Sequence, residues 1–389
     1  SNLRHVKLNL YSFYGQDTWK FNRRLTVNAG LRWDYQSPAT ERDGLALLPQ
    51  PINGSINSAL LGNATLDFAG GSTGRDWYKK DLNNFAPNIG IAYDVFGNGK
   101  TSFRAGYSVA FVNDSVMTAT FNSAISTNAG LVTTATASGL AGRLGTGVPA
   151  LPTPTFKVPR TFADNFAIAP SSNAEAGIDP NLVTPYVQQW SAGIQQSIKG
   201  TVIEVRYVGN HATKQLRAFD LNQVLINQIL PDFLKAQNNG LLAQKATGVF
   251  NPSFNAAIPG SQQLPFFATL ASGGLLTNST IINLIQTGQV GELANTYQVN
   301  GLQGSLNFYR NPLGLGMNLM TNYSNSTYNG LQVEVNRRYA KGLQLQGSYT
   351  YSKVMSDAAG NTQSNFEPFL DAANAGIEKA RASDFDVTH

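Results

Sequence analysis

The chain contains no cysteine, so it holds no disulfide and no thiolate metal site. Its three histidines, His5, His211 and His389, are spread along 389 residues. A zinc or non-haem iron centre is not expected from them. Charge is sparse as well. Asp, Glu, Lys and Arg make up 13%, well below the usual figure of about 25%. The net charge of +5 is not gathered into a Lys/Arg run, which argues against nucleic acid as a partner. No apolar run reaches the ~20 residues of a transmembrane helix. That leaves membrane-spanning strands open, because such a strand turns every second residue to the lumen. An initiator Met and a signal peptide with an apolar core are also missing, and the final SDFDVTH has no closing pattern. The chain is expected to be an excerpt of a longer protein.

What the sequence does have is alternation. In LTVNAGLRWDY, Leu25, Val27, Ala29, Leu31, Trp33 and Tyr35 share one face. Thr26, Asn28, Gly30, Arg32 and Asp34 share the other. A strand sends successive side chains to opposite faces, so this segment separates a greasy side from a wet side. Similar arms recur as four hairpins near 6–35, 85–111, 186–208 and 328–352. Their turns, at 20–24, 96–100, 199–200 and 338–342, carry the Gly, Asn and basic residues of tight reversals. Arms of about ten residues match the ~9–11 of a tilted transmembrane strand. Long connections, 36–84, 112–184 and 209–327, all fall at the other end. The expected fold is all-β: an antiparallel up-and-down transmembrane β-barrel segment of about eight strands with long extracellular loops, in the outer membrane.

The face assignment follows from parity. Leu25, Val27, Leu31, Trp33, Phe103, Val109, Ile203, Val205, Leu331 and Val333 are expected to face lipid. Arg32, Asp34, Arg104, Glu204, Arg206 and Glu334 are expected to face the lumen, as contacts for a substrate or a plug or simply as a solvated wall. Outward Trp19, Trp190, Tyr207, Tyr349 and Tyr351 fit aromatic girdles at the headgroups. The core of a soluble β-sandwich also alternates. Its strands, however, usually recur every 8–12 residues with short links at both ends.

Enzyme chemistry is not legible. FGNGKTS ends like a phosphate-binding loop, but Asp94 stands where that motif needs Gly, and a strand pattern follows where it needs a helix. No nucleophile elbow or zinc-protease motif is present. No catalytic residue, metal site or cofactor is expected. Recognition is expected in the loops, with Arg75, Trp77, Tyr78 and Tyr297 as candidate ligand contacts. In the third loop, FDLNQVLINQIL spaces Leu221, Val224, Leu225 and Leu230 near helical period. A short helix is expected there, broken by Pro231.

YSFYGQDTWKFNRRLTVNAGLRWDY resembles a recurrent stretch of TonB-dependent outer-membrane receptors, through Gln16, Asp17, Trp19, Leu25, Thr26, Asn28, Gly30, Leu31, Arg32 and Asp34. NNFAPNIGIAYDVFGNGKTSFRAGYSVAF is similar to the same family. TPYVQQWSAGIQQSI, VIEVRYVGNHATKQ and STYNGLQVEVNRRYAKGLQLQGSYTYSK resemble its Oar-like subgroup. The resemblance covers all four hairpins. It implies a 22-stranded barrel in the complete protein and an N-terminal plug driven by a TonB-type energy-coupling protein. It often implies a carboxypeptidase-regulatory-like domain ahead of these. Plug and TonB box are not in this chain, so energy coupling is assigned to none of its residues. The function that the resemblance implies is uptake, or export-linked passage, of a bulky ligand of unknown identity. The alternatives are a non-transporting adhesin or secretion-linked barrel, and a soluble β-sandwich binding module.

Overall fold

The computed structural model describes residues 5–112, 157–168, 174–340, 342–357 and 375–381, with Gly145, Gly147 and Phe369. In chain order the strands are β1 (Val6–Lys7), β2 (Leu10–Lys20), β3 (Leu25–Gln36), β4 (Thr40–Glu41), β5 (Ala46–Pro49), β6 (Thr65–Ala69), β7 (Phe85–Asp94) and β8 (Thr101–Phe111). They continue with β9 (Arg160–Thr161), β10 (Ala174–Ile178), β11 (Tyr186–Ile198), β12 (Thr201–Asp220), β13 (Gly316–Ala340), β14 (Leu343–Ser356) and β15 (Ala380–Arg381). The helices are α1 (Ile56–Leu60), α2 (Phe162–Ile168), α3 (Leu230–Thr247), α4 (Ser279–Gln286) and α5 (Val290–Val299).

Strands form where the alternation is strict. The long ones, β2, β3, β7, β8, β11, β12, β13 and β14, lie side by side in chain order, each antiparallel to the next. With β15 and β10 they make a ten-stranded sheet. The sheet is an open one, with β2 at one edge and β15 at the other. One short strand from the second connection departs from this pattern: β10 runs parallel to β13. The cause lies in β13. It has 25 residues, about 80 Å of strand, whereas β14 covers it only from Ser326 onward. The uncovered end of β13 would present unpaired N–H and C=O groups, and β10 takes them.

β12 and β13 stay paired as far as Asp220 and Asn318, with a bulge between Ala212 and Gln215. The third connection is therefore shorter than 209–327 and begins after Asp220. Beside this extension, β5, β6 and β9 form a small sheet. Two apolar clusters surround it: Leu48, Trp77, Tyr78, Leu216 and Met320, then Leu47, Leu60, Phe162, Phe219 and Phe369. A third lies in the helical insert around Phe233, Phe267, Ile285, Leu293 and Tyr297. All three sit at the loop end. Among the described residues, β2, β3, β8, β11 and β14 bury no apolar side chain, and β7 buries only Ala86.

Pro231 does not break a helix at 221–230; it lies in the first turn of α3. Its missing N–H is one that a first turn leaves unpaired anyway, and its fixed φ suits the helix. α3 ends at Gly248, whose φ of 82° suits glycine. The neck of the insert is closed by two buried asparagines. Asn222 Oδ1 accepts the Asn311 N–H at 2.7 Å, and Asn222 Nδ2 donates to the carbonyls of Asn311 and Gly314 at 2.8 Å. Asn311 Nδ2 donates to Leu60 and Gly62 carbonyls, also at 2.8 Å.

Gly240 lies inside α3, where alanine would normally add about 1 kcal/mol of helix propensity. A Cβ there would sit 2.1 Å from the Phe250 ring, and overpacking of that kind costs about 1–3 kcal/mol. Gly240→Ala is expected to loosen the insert, read as faster proteolysis between 230 and 300 while sheet assembly is unchanged.

α2 follows the capping pattern Thr161-Phe-Ala-Asp164. Asp164 Oδ2 accepts the Thr161 N–H at 2.8 Å, and Thr161 Oγ1 accepts the Asp164 N–H at 3.2 Å. That backbone donor, with the Thr161 hydroxyl and Lys157, lowers the Asp164 pKa to about 2. Since the folded value lies below the ordinary one, this cap stabilises fully above pH ~4. It is expected to weaken as pH falls from there towards 2, measurable as a chemical-shift titration of the Thr161 amide.

Candidate functional site

The sheet has two faces, and the register shows each as continuous rows. One row runs Trp19, Val27, Ile91, Ala105, Ala192, Tyr207, Leu331, Tyr351 across eight strands. The next, towards the turns, runs Leu25, Tyr93, Phe103, Ile194, Val205, Val333, Tyr349. No described residue covers them: Leu331 is 45% exposed and Tyr351 64%. The apolar face is broken on edge strand β2 by Asp17, whose carboxylate accepts the Thr18 N–H.

The opposite face is polar. Its row Lys20, Thr26, Ala92, Arg104, Gly193, Arg206, Gln332, Thr350 is followed, towards the turns, by Asp94, Ser102, Gln195, Glu204, Glu334, Ser348. The structure thus brings four of the six polar candidates together: Arg104, Glu204, Arg206 and Glu334. Arg206 donates to Gln332 Oε1 at 2.8 and 3.1 Å and lies 3.6 Å from Glu204. Arg104 and Arg206 flank Gly193 in register, and a Cβ at Gly193 would stand 3.1 Å from Arg206 Cβ. A cavity of about 330 Å³ opens over this region, lined by Asn28, Ser102, Arg104, Ser191, Gln195 and Arg206 among others. A second, of about 220 Å³, lies beside Glu204, Glu334 and Arg338. Arg32 and Asp34 are on the same face but nearer the loops. They pair with each other at 2.8 Å, and Ser12 Oγ donates to Asp34.

The turn at 96–100 is a hairpin reversal. Asp94 accepts the N–H groups of Gly97 and Gly99 at 3.0 and 2.8 Å. The backbone donors that a phosphate would need are already held by this carboxylate.

The four loop candidates lie inside the loops. Trp77 is 3% exposed, Tyr78 6% and Tyr297 0%. Tyr78 Oη accepts the Ala39 N–H at 3.0 Å, and burial pushes its hydroxyl up to about 12. Tyr297 donates to the Gly274 carbonyl at 2.6 Å, and burial raises its pKa too. Arg75 donates to the carbonyls of Leu48, Asp67 and Phe68, and burial lowers its pKa. Aromatic and cationic side chains in loops read as ligand contacts, yet loops this long need cores of their own, and these residues supply them. Sequence reading missed Gln332, which accepts from Arg206, and Asn28 and Gln195, which line the same cavity as Arg104 and Arg206. Their parity was visible, but placing them beside Arg104 and Arg206 requires the register.

A family model described as an outer membrane beta barrel domain matches residues 1–389, and the chain belongs to that family. It is an outer-membrane protein with an all-β barrel-type fold. No curated protein matches the chain. Solved structures similar to it include the alcaligin outer-membrane receptor FauA from Bordetella pertussis, at 10% identity and TM-score 0.31, covering 92% of this chain and 32% of that one. The ferripyoverdine receptor of Pseudomonas aeruginosa is similar at 11% identity and TM-score 0.34, covering 91% and 24%. The outer-membrane transporter YddB from Escherichia coli is similar at 10% and 0.34, covering 93% and 35%. The chain spans about a third or less of the length of these proteins.

Proposed function

We propose that this chain is part of the wall of a TonB-dependent, Oar-like transporter, with the apolar face towards lipid and the polar face towards a plugged lumen. The observation that carries the reading is the missing core. A sheet with one uncovered apolar face, one polar face carrying cavities, and no buried apolar layer in most of its strands is a wall between lipid and water. In lipid an open edge leaves backbone groups unsatisfied, so further strands from the same protein close the barrel. The plug, which the TonB-type partner pulls, lies against the row from Arg104 to Gln332. The wall itself does no covalent chemistry.

Cargo capture belongs to the loop end, where the helical insert forms the largest unit among the described residues. Its contacts come from exposed loop side chains rather than from Arg75, Trp77, Tyr78 or Tyr297. Deleting 223–310 and joining Asn222 to Asn311 through a short linker tests this. The variant is expected to assemble in the outer membrane and to lose growth on the siderophore, saccharide or peptide source that the unaltered strain uses. Unchanged growth would place recognition on the plug. The size of the insert favours one second reading, adhesion. Attachment that persists without a proton-motive force would support it over transport.

A further inference from the structure

His5 is far from the other histidines in the chain, yet the fold sets it against two carboxylates 36 and 38 residues further on. β1 and β4 pair antiparallel just beyond the loop end of β2 and β3, Val6 with Glu41 and Lys7 with Thr40. The Arg42 N–H donates to the His5 carbonyl at 2.9 Å and closes that pair. The chain then turns at Gly44, φ 67°, whose N–H donates to the Glu41 carbonyl at 3.2 Å. The turn brings Asp43 to His5. The ligand atoms of His5, Glu41 and Asp43 all lie within 4.8 Å of one another.

Glu41 is the fixed point, at 0% exposed. Its carboxylate accepts the N–H groups of His5 at 3.1 Å, Asp43 at 3.0 Å and Leu45 at 2.7 Å. The last two share Oε2, so Oε1 keeps a lone pair. None of the ion pairs among the described residues includes Glu41, although a buried charge normally has a partner. The side chains of His5 and Asp43 are exposed and can close on it. His5 Nδ1 already stands 3.3 Å from Asp43 Oδ2. Two ligands of a tetrahedral zinc ion, on arms of about 2.0–2.1 Å, stand about 3.3 Å apart. The cation now at this place is Arg42. It donates to both Asp43 oxygens, at 3.0 and 3.1 Å, and its Nη2 lies 3.3 Å from His5 Nδ1. Exposed pairs of that kind are weak and exchange readily. One guanidinium also leaves two carboxylates half balanced, where a divalent ion would balance both.

We propose that His5, Glu41 and Asp43 bind a divalent transition-metal ion of the zinc class, which displaces the Arg42 guanidinium. An imidazole with two carboxylates suits such an ion, whereas Ca²⁺ and Mg²⁺ take oxygen ligands. Three protein ligands leave the fourth position to water. The ion ties β1 to the first loop, against whose Trp77 and Tyr78 the side chains of Val6 and Leu8 already pack.

The test titrates Zn²⁺ into the full-length protein in detergent by calorimetry and follows hydrogen exchange at residues 5–7 and 40–45. Zinc is expected to bind and to slow exchange there. Loss of an outer hydrogen-bond partner alone costs a metal site about 10–100-fold in affinity. His5→Ala removes a ligand from an exposed position and is therefore expected to weaken binding by at least about tenfold. Arg42→Gln removes the competing cation and is expected to tighten binding, by up to about fivefold. His211→Gln, on β12, should change nothing, and Ca²⁺ should not compete. The proposal is overturned if zinc does not bind, if His5→Ala binds it as tightly as the unaltered protein, if Arg42→Gln weakens binding, or if Ca²⁺ displaces the zinc.

Discussion

Arg217→Met is expected to free Phe369 and residues 375–381 from the β12–β13 extension. Arg217 is 1% exposed and lies 2.6 Å from Glu378, itself 6% exposed. It also donates to the Asp357 carbonyl at 2.9 Å and stands 4.2 Å over the Phe369 ring. Removing one partner of a buried pair leaves a buried charge uncompensated, at a cost of about 3–5 kcal/mol. Here much of that cost is relieved by local opening at Phe369 and residues 375–381. Hydrogen exchange should therefore rise at Phe369 and 375–381, with β2–β8 unaffected. Adding Glu378→Leu should restore most of the protection, since well-packed apolar replacements of buried pairs are often neutral. Equal exchange in Arg217→Met and the unaltered protein would show that the pair does not hold this segment.

Ala192→Arg is expected to block membrane assembly where Gln195→Arg does not. Ala192 lies in the apolar row between Ala105 and Tyr207. An arginine at the middle of the lipid-facing band costs about 2–4 kcal/mol. Gln195 is on the polar face, paired in register with Glu204, so a new guanidinium there meets water and a carboxylate. The yield of heat-modifiable protein in outer-membrane vesicles measures both. Equal yields would contradict the assignment of faces.

The strands were legible because two local signals agreed. Strict alternation set the faces in segments such as Leu25–Gln36, and Gly-bearing turns such as 96–100 set the reversals. The extension of β12 and β13 was not legible. Past Tyr207 the segment VGNHATKQLRAFD alternates weakly, and the bulge before Gln215 shifts its parity. Leu216 and Phe219 bury themselves against the loops rather than facing lipid. Pro231 was misread because proline ends a helix from inside but starts one from the first turn, and the apolar spacing before it favoured the wrong side. Among the candidate site residues, parity placed Arg104, Glu204, Arg206 and Glu334 on one face. Their convergence around Gly193 depended on strand register, which sequence alone leaves open. The burial of Trp77 and Tyr297 was not legible for a different reason: it depends on partners distant in the chain.

Spin labels on single cysteines test the two faces of the sheet most directly. The chain has no native cysteine, so each introduced thiol is unique. Labels at 203, 205, 331 and 333 should be relaxed by oxygen dissolved in the bilayer and shielded from a polar nickel chelate. Labels at 204, 206, 332 and 334 should show little oxygen access. A wall between lipid and water gives a period of two in oxygen accessibility along both β12 and β13, in phase across the register pair Val205–Val333. A uniform profile, or one with the phases reversed, would contradict it.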